Sequence, residues 1–179
     1  TYEAILQADR ESLARLGHGN AIAQAYNHPI LPLQKRHDIQ TQVMWALEDF
    51  HTRFGRESEG LWLSETAINP VTIDVLAENG VKFVILSPWQ AKETEKEGLL
   101  NGKPAPYGKP FLLTGEKGGT ITAFFYNHIL AEGISFGHYL RDADVLYKLL
   151  LEIKKKEKSP LIHTATVGEV YGHHEPYGY

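Results

Sequence analysis

Two spacings of apolar residues alternate along the chain, and together they predict a succession of helices and strands. Tyr2, Ile5, Leu6, Leu13 and Leu16 recur at helical intervals; Asp9 stands where the stripe wants an apolar side chain, and Gly17 and Gly19 stop the run. Ala21 to Tyr26 then reads as a buried strand. Helical spacing returns from Asp38 to Phe54 through Ile39, Val43, Leu47, Phe50 and Phe54, with Gly55 as a C-cap and Trp45 and Phe50 assigned to the core. Leu61-Trp62-Leu63 is a short strand, and a third helix is framed by Asn69 as a cap, Pro70 in its first turn and Asn79-Gly80 at its end. Val81 to Leu86 is the clearest strand. From Ser87 to Gly119 the pattern dissolves into Gly, Pro, Lys and Glu, with a short strand at Phe111–Leu113, and so long a stretch reads as an excursion or lid over 88–119. Ile121 to Tyr126 is the next strand, Asp142 to Lys156 a helix on Val145, Leu146, Leu149, Leu150 and Ile153, and Leu161 to Thr166 a last strand.

Strands apolar on both faces and separated by helices imply an α/β protein with parallel pairing under a helical cover. A complete eightfold barrel takes about 250 residues, more than the 179 of this chain. An open sheet or a barrel with missing staves is therefore expected. Composition narrows the chemistry. With 42% hydrophobic and 22% charged residues the chain is not a disordered one. Lys+Arg 18 against Asp+Glu 22 leaves a formal charge of −4 and no basic face, which argues against nucleic acid as a partner. The run Lys154-Lys155-Lys156-Glu157-Lys158 reads as a solvated helix end. With no cysteine, disulfide scaffolds, thiol catalysis and Fe–S clusters are excluded, and no apolar run approaches the roughly 20 residues of a membrane span. The chain opens at Thr1 with no Met and no signal-like segment, so it is expected to begin inside something larger, and a cytoplasmic location is expected.

In parallel α/β folds the strand C-termini carry the site. Past the five expected strands come Asn27-His28, Ser64-Glu65-Thr66, Ser87 with Trp89-Gln90, Asn127-His128, and Gly168-Glu169 followed by Tyr171-Gly172-His173-His174. Amides and imidazoles suit sugar hydroxyls, and Trp and Tyr suit a ring face; a shared pocket and ordinary solvent-facing loops both account for the pattern. Glu65, directly after the apolar Trp62-Leu63, should be aimed into a partly dry cavity, or else stabilise the N-terminal end of the following helix, and spacing leaves both open. His173 and His174, adjacent in an extended segment, should point to opposite sides, so no metal site and no cofactor are expected.

Three stretches carry a resemblance: Ala23-Gln24-Ala25-Tyr26-Asn27-His28-Pro29-Ile30-Leu31-Pro32-Leu33; Phe54-Gly55-Arg56 with Glu59-Gly60-Leu61-Trp62-Leu63-Ser64-Glu65-Thr66-Ala67; and Gly168-Glu169-Val170-Tyr171-Gly172-His173-His174. In this order they resemble glycoside hydrolase family 57, closest to its bacterial amylase- or mannosidase-related branch, over essentially the whole chain. The resemblance implies a seven-stranded (β/α)7 barrel of which residues 1–179 are the central portion, about five strands; the first strand and the C-terminal helical region are expected to be missing, and the unpaired edges to invite self-association. It also implies retaining action on α-glucans as hydrolase or transglycosylase. The family nucleophile, the Glu of Trp-x-x-Glu, falls on Glu65, whereas the acid/base Asp falls on Val167, which can neither give nor take a proton. The chain is then an inactivated homologue, or Glu169 serves instead, or position 167 carries a sequence error. A retaining pair wants its carboxyls about 5–5.5 Å apart, and the two-residue shift argues against Glu169.

The first functional expectation is thus a retaining α-glucan-active enzyme with His28, Trp62, Trp89, Gln90, Asn127 and His173 lining sugar subsites. The second is a catalytically inactive glucan-binding or structural remnant. The third, a metal-dependent polysaccharide deacetylase-like barrel, is disfavoured by the lack of an early strand-end Asp and of a His-x₃-His pair.

Overall fold

The computed structural model describes residues 1–94, 98–157 and 161–175, and the chain divides into two units, Thr1–Ile85 with Leu112–Ala123 and Leu86–Phe111 with Phe124–Tyr179. The first unit begins with α1 (Tyr2–Leu16), ended by Gly17 in the left-handed conformation. This helix lies the other way round from its hydropathy. Asp9 is 1% exposed and Ser12 is buried, while Tyr2, Ile5, Leu13 and Leu16 face outward. Asp9 decides the orientation, because a buried carboxylate has to be paired. The Arg56 guanidinium grips it in a fork (Nη2 to Oδ1 2.7 Å, Nε to Oδ2 2.8 Å), and the Ala21 N–H donates to it at 2.8 Å. Arg56 also donates to the Ala21 carbonyl at 2.8 Å, and Ser12 Oγ to that of His18 at 2.9 Å. A Cβ on Gly19 would run into this guanidinium and carboxylate, so only glycine fits there.

β1 (Ala23–Gln24) is shorter than the strand expected over Ala21–Tyr26, because side chains take the flanking backbone donors. Ala21 N–H goes to Asp9, Ala23 N–H to Ser58 Oγ and Asn27 N–H to Gln42 Oε1. α2 (Arg36–Phe54) buries Ile39, Val43, Ala46 and Phe50 along one stripe and ends at Gly55, φ 68°, as its sequence indicates. Trp45, assigned to the core in the sequence, is instead exposed, one position off that stripe. β2 (Leu61–Trp62) pairs parallel with β1, Ala23 opposite Leu61 and Gln24 opposite Trp62. α3 (Pro70–Glu78) follows with Asn69 capping Thr72 N–H, then β3 (Phe83–Leu86), joined to the preceding strand region by a parallel bridge between Gly60 and Phe83.

The stretch 88–119 is not structureless. β4 (Glu93–Thr94) and β5 (Gly98–Leu99) pair antiparallel, and β6 (Pro110–Thr114) forms a hairpin with β7 (Thr120–Phe125) in the order β3-β7-β6. The hairpin turn is held from outside: buried Asp74 of α3 accepts the Lys117 N–H at 2.9 Å and the Gly119 N–H at 3.0 Å. Thr122 N–H bonds to Lys82 and Tyr126 N–H to Leu86, a constant offset that makes β7 parallel to β3.

In the second unit α4 (His128–Ser135), unannounced by the sequence because it is one short amphipathic stretch interrupted by Gly133, is capped by Asn127. α5 (Ala143–Glu157) buries Ile153, with Lys154–Lys156 exposed at its end; Lys158 lies outside the described residues. Residues 161–166 form no strand, contrary to expectation. Asn127 N–H donates to the His163 carbonyl at 3.0 Å, and one such bond is no ladder.

The Arg56 guanidinium, by its hydrogen bond, holds the Asp9 carboxyl below the usual carboxylate value of 3.8. A depressed folded-state pKa means that its contribution to stability is complete above that value and is lost as pH falls through the lower folded-state value. Asp9→Ala is expected to cost about 3 kcal/mol in urea unfolding at pH 7, by leaving the half-buried Arg56 guanidinium without its partner, and to flatten the acid limb of the stability profile.

Candidate functional site

Glu65 stands at the C-terminal end of β2 on the tight turn Ser64–Thr66, where both Glu65 (φ 56°) and Thr66 (φ 52°) are left-handed. A β-branched residue in this region is an outlier and marks stored strain. The turn is closed by Thr66 N–H to the Leu63 carbonyl (2.9 Å) and Ala67 N–H to that of Ser64 (3.1 Å). Ser64 and Thr66 are buried, and Glu65 between them is exposed. Ser64 Oγ is buried without a partner. His28, past the neighbouring strand β1, is likewise exposed and left-handed (φ 54°), its N–H bonded to the Ala25 carbonyl at 2.9 Å. Trp62 is half-buried and its carbonyl accepts the Ala25 N–H at 3.2 Å. His28 and Glu65 therefore occupy the C-terminal ends of two paired parallel strands. In the same unit, Tyr26 meets Trp45 edge to face, centroids 5.6 Å apart, beside a cavity of about 340 Å³ lined also by Glu48, Asp49 and Thr52.

In the second unit, Trp89 and Gln90 are exposed on the turn after β3. Trp89 meets His128 edge to face at 5.3 Å. Asn127 is fully buried and its Oδ1 accepts the Leu130 N–H at 3.0 Å, so this residue caps α4 whatever else it does. Val167 is 60% exposed, and Glu169, also exposed, sits in the next turn, Gly168–Val170. His173 and His174 do not point apart: the chain turns at Gly172 (φ 97°) rather than running extended, and their rings meet at 4.9 Å. Among the described residues no group of three His, Cys, Asp or Glu side chains stands together as metal ligands would.

Two groups escaped the sequence. Buried Glu175 pairs with His138 Nδ1 and, at 3.0 Å, with Arg141 Nε, which together hold its carboxyl below the ordinary value, His138 contributing most; the separation of 34–37 residues leaves no local signal. His163 lay inside the apolar run Leu161–Thr166, where a lone histidine was the one available sign. Burial pushes its imidazole below the usual value, opposed by a hydrogen bond to the Phe125 backbone.

Parallel strands alternating with helices, each strand end followed by polar residues, define an α/β protein of the parallel β/α kind. The sequence model of the family described as glycosyl hydrolase family 57 matches residues 4–179, and the chain belongs to that family. It is 24% identical over 164 residues to an α-amylase of Pyrococcus abyssi, covering 90% of this chain and 23% of that protein. The structure of a 4-α-glucanotransferase from Thermococcus litoralis superposes with a TM-score of 0.69 at 20% identity, over 99% of this chain and 25% of the other. A proposed polysaccharide deacetylase from Mycobacterium smegmatis has a TM-score of 0.60 at 15% identity, over 92% of this chain and 53% of that one. The chain thus spans about a quarter of the length of the amylase and of the glucanotransferase. Its α/β units match part of the family's barrel, in agreement with the sequence. No helix among the described residues is long and apolar enough to cross a membrane.

The strained turn yields a stability prediction. Glu65→Gly should raise the unfolding free energy by about 1 kcal/mol by relieving the positive φ, whereas Glu65→Gln should leave it unchanged; chemical denaturation of the two variants checks this.

Proposed function

We propose that this chain carries the nucleophile-bearing part of a retaining glycosidase or transglycosylase acting on α-glucans. The observation that carries the reading is Glu65 at the end of Leu61-Trp62-Leu63-Ser64, exposed on a strained turn at a parallel strand's C-terminus, in a chain of this family. A carboxylate so presented is positioned to attack an anomeric carbon without moving, and the strain at Glu65 and Thr66 is the cost of that orientation. His28, on the neighbouring strand end, and Trp62 would hold the sugar. Amylase and glucanotransferase relatives support an α-glucan as substrate, and the choice between water and a second sugar as acceptor belongs to the whole protein.

Val167 is the weak point of that chemistry. Where the family places its acid/base Asp, this chain presents an exposed isopropyl group. Loss of general acid help costs roughly 10²–10⁴ in rate. A non-catalytic glucan-binding role is therefore the second reading, and Val167 is what favours it. Glu169 is two positions further on, inside the Gly168–Val170 turn.

Turnover of an activated α-glucoside and of a malto-oligosaccharide separates the readings. Val167→Asp is expected to exceed the unmodified chain by roughly 10²–10⁴, and Glu65→Gln added to it should abolish the gain. Equal rates with and without Val167→Asp, unaffected by Glu65→Gln, would overturn both assignments. Saccharide binding with no turnover in any variant would favour the binding role. Release of acetate from an acetylated oligosaccharide only when zinc is added would instead select the deacetylase chemistry.

A further inference from the structure

Glu175 is a buried carboxylate that the chemistry above leaves unused. Its side chain is 6% exposed, while those of His138 and Arg141 are more than half exposed, so a sunken anion is met by two side chains reaching in from solvent. An exposed ion pair contributes little, but a buried carboxylate left without partners is costly. Both sides of the contact are built to hold it. On one side, His138 has a left-handed backbone (φ 57°), uncommon for a residue with a side chain, and the Arg141 N–H closes the turn Tyr139–Arg141 by donating to the His138 carbonyl at 3.1 Å. That turn is seated on α4. The Tyr139 ring lies against Gly133 so closely that a Cβ there would meet ring carbons at 1.9–2.4 Å. On the other side, the Glu175 N–H donates to the Val170 carbonyl at 3.1 Å, the His174 N–H to that of Glu169 at 2.9 Å, and the Gly172 N–H to that of Glu175 at 3.1 Å. These bonds tie Glu175 to the turn Gly168–Val170, whose Val170 side chain is buried. The Val170 N–H in turn donates to the Val167 carbonyl at 3.3 Å, so position 167 is one hydrogen bond away from the tied turn.

We propose that Glu175 is a positioning residue: its carboxylate, held by His138 and Arg141, clamps residues 167–175 to the turn after α4 and so fixes the backbone that presents position 167. This rests on the reading above, in which position 167 is the acid/base position. Val170 alone is a single apolar anchor about which the segment can pivot; Glu175 is the second fixed point, and it removes that rotation. A general acid has to stand within hydrogen-bond reach of the atom it protonates, and a misplacement of about 1 Å costs roughly 10² in rate. The clamp therefore acts on turnover rather than on substrate affinity.

The test reads amide hydrogen exchange in the 179-residue chain and turnover of an activated α-glucoside in the same chain carrying Val167→Asp. Glu175→Gln should speed exchange of the Tyr171, His174 and Glu175 amides roughly tenfold and leave the amides of Val43 and Ala46 in α2 unchanged. Arg141→Gln should act in the same direction, and Arg141→Lys, which keeps the charge, should restore most of the protection; these two carry the test if Glu175→Gln fails to fold, since Arg141 is mostly exposed. Added to Val167→Asp, Glu175→Gln should lower kcat roughly 10²-fold with KM unchanged. Unchanged exchange in 168–175, or equally faster exchange in α2, would overturn the clamp. Faster local exchange with kcat unchanged would overturn the positioning role and leave the acid/base reading standing. Faster local exchange with no turnover from Val167→Asp alone would uphold the clamp and overturn the acid/base reading.

Discussion

Asp9 and Arg56 set the first unit. A carboxylate taken out of water is stable only when its charge and lone pairs are answered, and every answer to Asp9 comes from a different part of the chain: Arg56 beyond the end of α2, and Ala21 before β1. That requirement rotates α1, turns its apolar stripe toward solvent, fixes Gly19 as the only residue small enough to pass, and brings the loop after α2 against the entry to β1. β1 and β2 pair directly downstream of those two anchors, so the strand ends that carry His28 and Glu65 inherit their position from a salt bridge at the opposite end of the strands.

The strand ends themselves combine a rigid support with local strain. Leu61 and Leu63 are fully buried while Glu65 two residues later is exposed and left-handed. A buried strand is the kind of element that can over-determine an unfavourable backbone, since letting the turn relax would drag apolar side chains out of the core. His28 follows the same plan after the buried Ala25. In the second unit Asn127 is buried and spends its Oδ1 on the cap of α4, whereas Gln90 and Glu169 are exposed.

Helices were the most legible part of the sequence. α2 and α3 carry complete local signals, an apolar stripe and a C-cap glycine in one, Asn-Pro and Asn-Gly punctuation in the other, and the chain obeys them. α1 shows where hydropathy misleads: its length is right and its orientation is reversed, because Asp9 is answered by a residue 47 positions away, which no local pattern contains. β1 and residues 161–166 were overread for a related reason, since apolar runs look like strands whether or not a neighbour takes their backbone bonds. Among the candidate residues, the sequence indicated that Glu65, His28, Trp89 and Asn127 follow the ends of β2, β1, β3 and β7, but not that Asn127 is buried and the other three exposed. The turn at Glu65 takes two positive φ angles, and the roles of His163 and Glu175 depend on partners 34 or more residues away.

The contact between Asp74 and the 115–119 turn bears on how the protein breathes. A hairpin closed by a short turn ordinarily frays by itself, and its turn amides exchange with solvent on the schedule of that local opening. Here the amides of Lys117 and Gly119 are donated to a side chain on α3, more than 40 residues earlier. Their exchange is tied to the opening of a helix whose Ile73, Val75 and Leu76 are buried. An exposed loop tip thereby acquires the protection of the core, and this end of the hairpin belongs to the same cooperative unit as α3.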